Sequence, residues 1–172
     1  MDGFNGTIFA YGQTSSGKTH TMQGNIDDVE MRGIVPRMVR TVFNRIENSS
    51  ENMEFAVKVS FCEIYNERIK DLLNPKLDNL KIHEEKQKGI YIQDITENYC
   101  CDESEVYETM RIGNNNRSVT ATNMNAESSR SHSLFIITIT MTNNEDGSCK
   151  TGKLYLVDLA GSEKISKTGA KG

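Results

Sequence analysis

The 172-residue sequence predicts an α/β fold in which helices flank a mixed central β-sheet and a ligand sits at the carboxyl end of one strand. Three observations predict it. Apolar residues alternate at period two in 55–61 and 134–141, and an apolar run fills 153–159, as strands require. Ile34, Val35, Met38, Val39, Val42, Phe43 and Ile46 recur at helical spacing. Between a β-branched run (residues 7–11) and a helix start (residues 18–22) lies Gly12-x-x-x-x-Gly17-Lys18-Thr19, the P-loop pattern.

Four fixed positions match by chance in a chain this long on the order of one time in a hundred, so the pattern gains its force from the strand and helix around it. Gly12 and Gly17 permit a turn whose successive N–H groups point into one concavity, and a helix start adds partial positive charge. Such a loop suits an anion, with Lys18 reaching β- and γ-phosphates and the Thr19 hydroxyl ligating Mg²⁺. The competing reading is a glycine turn before a helix with an exposed lysine. On the P-loop NTPase reading, Gly12, Gln13, Thr14, Ser15, Ser16, Gly17, Lys18 and Thr19 line the phosphates.

The other elements follow in order. Residues 23–32 are acidic, lack apolar periodicity and form a surface loop; Pro36 then suits the first turn of the next helix. Phe55, Val57, Val59 and Phe61 share one strand face, and the strand runs on through Glu63 and Tyr65 towards Ile69 and Leu72. Residues 80–82 and 90–92 pair as a hairpin, with Lys86 and Lys88 at its tip, either merely solvated or facing an acidic partner. Asp102-x-x-Glu105 is a capping box that starts a short helix buried through Val106, Met110 and Ile112 and ended by Gly113-Asn114-Asn115-Asn116. Polar residues from 117 to 132 then make a long loop or a weak helix end, which invites a functional explanation.

Composition narrows the function classes. Hydrophobic residues make up 36% and charged residues 26%, a globular balance, and the net charge of -4 argues against a nucleic-acid-coating surface. No apolar run is long enough to insert in a bilayer, and no signal-peptide pattern is present. Cys62, Cys100, Cys101 and Cys149 show neither CxxC nor zinc spacing, which suggests reduced thiols in a cytoplasmic protein.

Two further segments can face a phosphate. Asp158 ends an apolar strand and precedes Leu159-Ala160-Gly161-Ser162-Glu163, the Walker B position for holding Mg²⁺ directly or through water. Gly161 carries no Cβ to obstruct its N–H from a γ-phosphate. The alternative for Asp158 is a cap on the following turn. Residues 125–132 bring Asn125, Ser128, Ser129, Arg130 and His132 together; by composition alone this is a serine-rich surface loop.

Taken together, Gly12 to Met22, Asn125-x-x-Ser128-Ser129-Arg130-Ser131-His132 and Asp158-Leu159-Ala160-Gly161-Ser162-Glu163 resemble the kinesin motor domain, in that family's order and separations. Phe61-x-Glu63-Ile64-Tyr65-Asn66-Glu67 and Asp71-Leu72-Leu73 also match, and conventional heavy chains are the most similar subfamily. The resemblance implies ATP and Mg²⁺ as ligands and ATP hydrolysis coupled to movement along microtubules. It places His20 near the adenine. It makes Asn125, Ser128, Ser129 and Arg130 switch I, with Ser129 on the metal beside Thr19 and Asp158, and makes Asp158, Gly161 and Glu163 switch II. In the family, Arg130 and Glu163 pair across the γ-phosphate and close the site around the attacking water.

The resemblance further implies that residues 1–172 are part of a motor domain, from the P-loop to switch II. The N-terminal strands, the adenine-clasping segment, the filament-binding part and the neck linker would lie outside. The chain alone is therefore expected to fold poorly, to be weak or inactive as an ATPase and not to be motile. The implied partners are tubulin and, through a stalk outside the chain, a second copy; the implied location is cytoplasmic, on the microtubule cytoskeleton. Two other classes compete. A nucleotide-gated binding module without turnover is disfavoured by the presence of Arg130 and Glu163. A nucleotide or small-molecule kinase needs an acceptor site and a lid, for which no sequence is found.

Overall fold

In the computed structural model, residues 3–86, 89–124 and 128–163 are described, with residues 120–124 and 128 as backbone only. The strands are β1 Gly6–Ala10, β2 Met53–Tyr65, β3 Arg68–Asp71, β4 Ile82–Glu85, β5 Gly89–Ile92, β6 Asn98–Tyr99, β7 His132–Asn143 and β8 Cys149–Asp158. The helices are α1 Lys18–Met22, α2 Ile34–Glu47 and α3 Glu103–Met124, with a 3₁₀ turn at Ser128–Arg130.

Six strands form one sheet in the order β1-β8-β7-β2-β3, with β6 also on β2. The β1–β8 pair is parallel and the others antiparallel, so the sheet is mixed, as expected. Alternation decides its two faces. Val57, Val59 and Phe61 of β2, Phe135 and Ile137 of β7 and Leu156 of β8 form one core with Met22 of α1, Val35, Val39 and Phe43 of α2, and Val106, Tyr107 and Met110 of α3. Phe61 and Phe135 meet edge to face across β2 and β7, with ring centroids 5.2 Å apart. The other face, including Ile64, Leu134, Ile136 and Tyr155, borders a cavity of about 1080 Å³ that the β4–β5 hairpin closes on one side.

Turn chemistry explains several joints. Asn66 (φ 48°) and Glu67 (φ 60°) connect β2 and β3 in a two-residue turn of left-handed residues, the kind that matches strand twist. The buried Asp71 carboxylate accepts the N–H groups of Leu73, Asn74 and Thr96, tying the end of β3 to the segment before β6. Asp102 caps α3, its Oδ1 accepting the Glu105 N–H at 2.9 Å, while the Glu105 carboxylate accepts the N–H of Cys101, one residue before the cap, at 2.7 Å.

One expectation fails in α3. Gly113-Asn114-Asn115-Asn116 does not end the helix, which runs 22 residues to Met124. Gly113 is a packing residue, since a Cβ there would lie 2.1 Å from Phe61 Cδ1. Asn114 donates to Gln23 Oε1 at 2.7 Å and Asn116 to the Leu72 carbonyl at 2.7 Å, so these polar residues serve tertiary contacts instead of a helix end. Ile112, expected to be buried, is exposed. All four cysteines are free; Cys62 and Cys100 are buried, and Cys101 and Cys149 exposed. Burial pushes the Cys62 thiol up to about 12. Among the described residues, no helix is long and apolar enough to cross a membrane.

Candidate functional site

The register of the parallel pair builds the site. Ala10, the last residue of β1, lies beside Asp158, the last residue of β8. The loops leaving both strands therefore emerge at one sheet edge, the carboxyl end at which open α/β sheets bind ligands. The Leu159 N–H donates to the Ala10 carbonyl at 3.2 Å and the Ser162 N–H to the Gly12 carbonyl at 3.1 Å, holding the second loop along the first.

The glycine loop turns sharply between β1 and α1. Gly17 (φ 89°) and Ser15 (φ 64°) are left-handed, and the chain then enters α1, whose first turn closes with Thr21 N–H on the Gly17 carbonyl at 2.8 Å. Gln13, Thr14, Ser15, Ser16, Thr19 and His20 are exposed at this mouth; Gly12 and Lys18 are half-buried. The Lys18 ammonium lies over the loop, donating to the carbonyls of Gly12 (2.9 Å) and Gln13 (2.8 Å).

Thr19 Oγ1 donates to Asp158 Oδ2 at 2.5 Å. The other carboxylate oxygen, Oδ1, is buried and has no hydrogen-bond partner. Such an oxygen is costly unless something binds it. Next to a threonine hydroxyl it suits a hard cation held by one carboxylate, a hydroxyl and phosphate oxygens. Among the described residues no group of three or more His, Cys, Asp or Glu side chains is placed to hold a metal ion.

Beneath Asp158 lies a buried network that the sequence reading missed. Arg117 of α3 places Nε 3.2 Å from Glu63 Oε1, Nη2 3.2 Å from Ser131 Oγ, and Nη1 3.8 Å from Asp158 Oδ2. Ser131 Oγ donates to Glu63 Oε1 at 2.6 Å. Glu63, Arg117, Ser131 and Asp158 are all buried. A signal existed for each charged member. Glu63 continues the inward face of Val57, Val59 and Phe61, and Arg117 follows Val106, Met110 and Gly113 at helical spacing. A charge on a buried face needs a partner.

The switch residues are only partly brought together. Gly161 donates its N–H to the Ser129 carbonyl at 2.7 Å, joining the two loops. A Cβ at Gly161 would meet Thr14 Oγ1 and the Glu163 carboxylate at about 2.5 Å, so a side chain there would have to displace these two exposed side chains. Glu163 accepts from the Thr14 N–H (2.9 Å) and hydroxyl, and these bonds hold its carboxyl below the usual carboxylate range. Among the described residues no ion pair joins Glu163 to Arg130, which is exposed on the 3₁₀ turn. Asn125, the Ser128 side chain and Lys88 lie outside the described residues, and Lys86 is exposed beside the β4–β5 turn.

Fold and site together define an α/β protein of the P-loop type. A family model of the kinesin motor domain matches residues 1–172, and the chain belongs to that family. The kinesin heavy chain of Neurospora crassa is 58% identical over 173 aligned residues, which take in 100% of this chain and 19% of that protein. The kinesin-1 heavy chain of Homo sapiens is 54% identical, covering 100% of this chain and 18% of its own length. A solved structure of a fast kinesin, described with reference to ATPase mechanism and interactions with microtubules, superimposes with a TM-score of 0.95 at 58% identity. The match covers 99% of this chain and 49% of that one. The chain thus spans about a fifth of the length of these curated relatives.

Proposed function

We propose that this chain carries the nucleotide site of a microtubule motor, in which ATP hydrolysis is coupled to movement along microtubules. The observation that carries the reading is the bond from Thr19 to Asp158, with the second Asp158 oxygen buried and unpartnered. The backbone of residues 12–17 and the Lys18 ammonium bind the phosphates. Mg²⁺, held by Thr19 and Asp158 with Ser129, supplies charge neutralisation when bound. His20 faces the adenine side. Asn125 and Ser128 join Arg130, Gly161 and Glu163 around the terminal phosphate. Phosphoryl transfer needs positioning and charge stabilisation more than covalent help, and this residue set offers that. The Thr14–Glu163 bonds then mark an open arrangement, and pairing of Glu163 with Arg130 the closed one.

The proposed partner is the microtubule, approached by the exposed Lys86 end of the β4–β5 hairpin, with a second copy joined through a stalk. The place of action is the microtubule cytoskeleton. The test uses the full-length protein. Lys18→Ala should abolish most binding of a fluorescent nucleotide. Arg130→Ala and Glu163→Ala should keep binding and suppress microtubule-stimulated hydrolysis, the double variant being hardly worse than either single. Retained nucleotide affinity in Lys18→Ala, or absence of ATP-sensitive co-sedimentation with microtubules, would overturn this reading.

A further inference from the structure

His132 completes the serine-rich segment, yet no step above uses it. It opens β7, half-buried, two residues past the 3₁₀ turn that carries Ser129 and Arg130. Its Nδ1 lies 3.1 Å from the Ala160 nitrogen. A backbone amide can only donate, so Nδ1 accepts and the ring proton sits on Nε2.

The loop after Asp158 is stitched to both halves of the site by four successive amides. Leu159 N–H and Ser162 N–H bond to the glycine-loop side, at the carbonyls of Ala10 and Gly12. Ala160 N–H and Gly161 N–H bond to the serine-segment side, at His132 Nδ1 and the Ser129 carbonyl. The middle two amides are not equivalent. Gly161 N–H is the donor assigned to the terminal phosphate, and one N–H serves one strong acceptor at a time. It must leave the Ser129 carbonyl to reach a phosphate oxygen. Ala160 N–H has no second use. Pinned there, the chain can redirect the Gly161 N–H only through the φ and ψ of Ala160.

We propose that His132 is a positioning residue for hydrolysis: its Nδ1 anchors the Ala160 amide, so that the Gly161 amide exchanges the Ser129 carbonyl for a phosphate oxygen without the loop leaving the site. This rests on the function proposed above. The imidazole is the pivot, and the Gly161–Ser129 bond is the part that opens.

Two variants of the full-length protein separate acceptor from bulk. His132→Asn offers Oδ1 where Nδ1 stands, keeping the acceptor and losing the ring. His132→Phe keeps the ring and loses the acceptor. His132→Phe should lower microtubule-stimulated kcat about tenfold, the scale of one lost hydrogen bond, with affinity for a fluorescent ADP analogue changed less than about twofold. His132→Asn should stay within about threefold of the parent. Amide hydrogen exchange at Ala160, measured without nucleotide, should accelerate about tenfold in His132→Phe and remain near the parent in His132→Asn. A packing role gives the reverse order, with Phe benign and Asn harmful, and overturns the proposal. So does unchanged Ala160 exchange in His132→Phe, or accelerated exchange with unaltered kcat. Because the exchange experiment needs no nucleotide, it stands apart from the Lys18→Ala binding test, whose failure would overturn the site assignment instead.

Discussion

The glycine loop and the buried charges beneath it meet at Asp158 but are built in opposite ways. Residues 12–19 are contiguous and largely exposed, and their shape comes from left-handed Ser15 and Gly17. Glu63, Arg117, Ser131 and Asp158 come from β2, α3, the entry to β7 and the end of β8, and all are buried. The loop is a local structure, and the proposed function makes it the phosphate site. The network is a tertiary structure that aims one oxygen of Asp158 at Thr19 and leaves the other buried and unpartnered. Changes in the first should therefore strike binding, and changes in the second should strike folding as well.

The sharpest way to break that contrast is to compare Arg117→Ala with Lys18→Ala in chemical denaturation of the full-length protein. Arg117→Ala strands the buried Glu63 carboxylate and should cost about 3–5 kcal/mol of stability. Lys18→Ala removes a half-buried ammonium bonded, among the described residues, to the Gly12 and Gln13 carbonyls of its own loop and should change stability by less than about 0.5 kcal/mol. Equal losses would show that the loop is as much a part of the folded framework as the network.

A smaller effect tests how α3 presents Arg117. In an unencumbered helix, Gly→Ala gains about 1 kcal/mol. At Gly113 the new methyl would press on the Phe61 ring, so Gly113→Ala should instead destabilise by about 1–3 kcal/mol. A rise in melting temperature would show that α3 can shift away from β2 without loss.

The smallest effect lies at the far end of the same helix. Asp102→Ala removes the cap and should lower the melting temperature by roughly 2 °C. Bonds from the Ser104 hydroxyl and then the Glu105 N–H hold the Asp102 carboxyl below its ordinary 3.8. A depressed folded value means that the cap contributes fully above the ordinary pKa and fades as pH falls through the folded one. The melting temperatures of parent and variant should converge in that acid window, and a constant difference down to pH 2 would contradict the assignment.

The residues themselves determined the glycine loop, the alternating strands β2 and β7, the amphipathic α2, the Asp102 cap of α3 and the three segments of the family signature. Each depends on neighbours within a few positions, through φ preferences, period-two or helical alternation and short-range hydrogen bonds. The end of α3 was misread because Gly113 and the asparagines after it look like a stop unless Phe61, Gln23 and Leu72 are known to lie against them. The pairing of Glu63 with Arg117 was missed for the same reason, since a pair 54 positions apart in sequence is made only by packing α3 on β2. Tertiary structure alone decided that Ala10 lies beside Asp158, that Ala160 reaches His132 and that Glu163 rests on Thr14. Strand order and register are global choices, set by which buried faces can be matched at once, and no local preference encodes them.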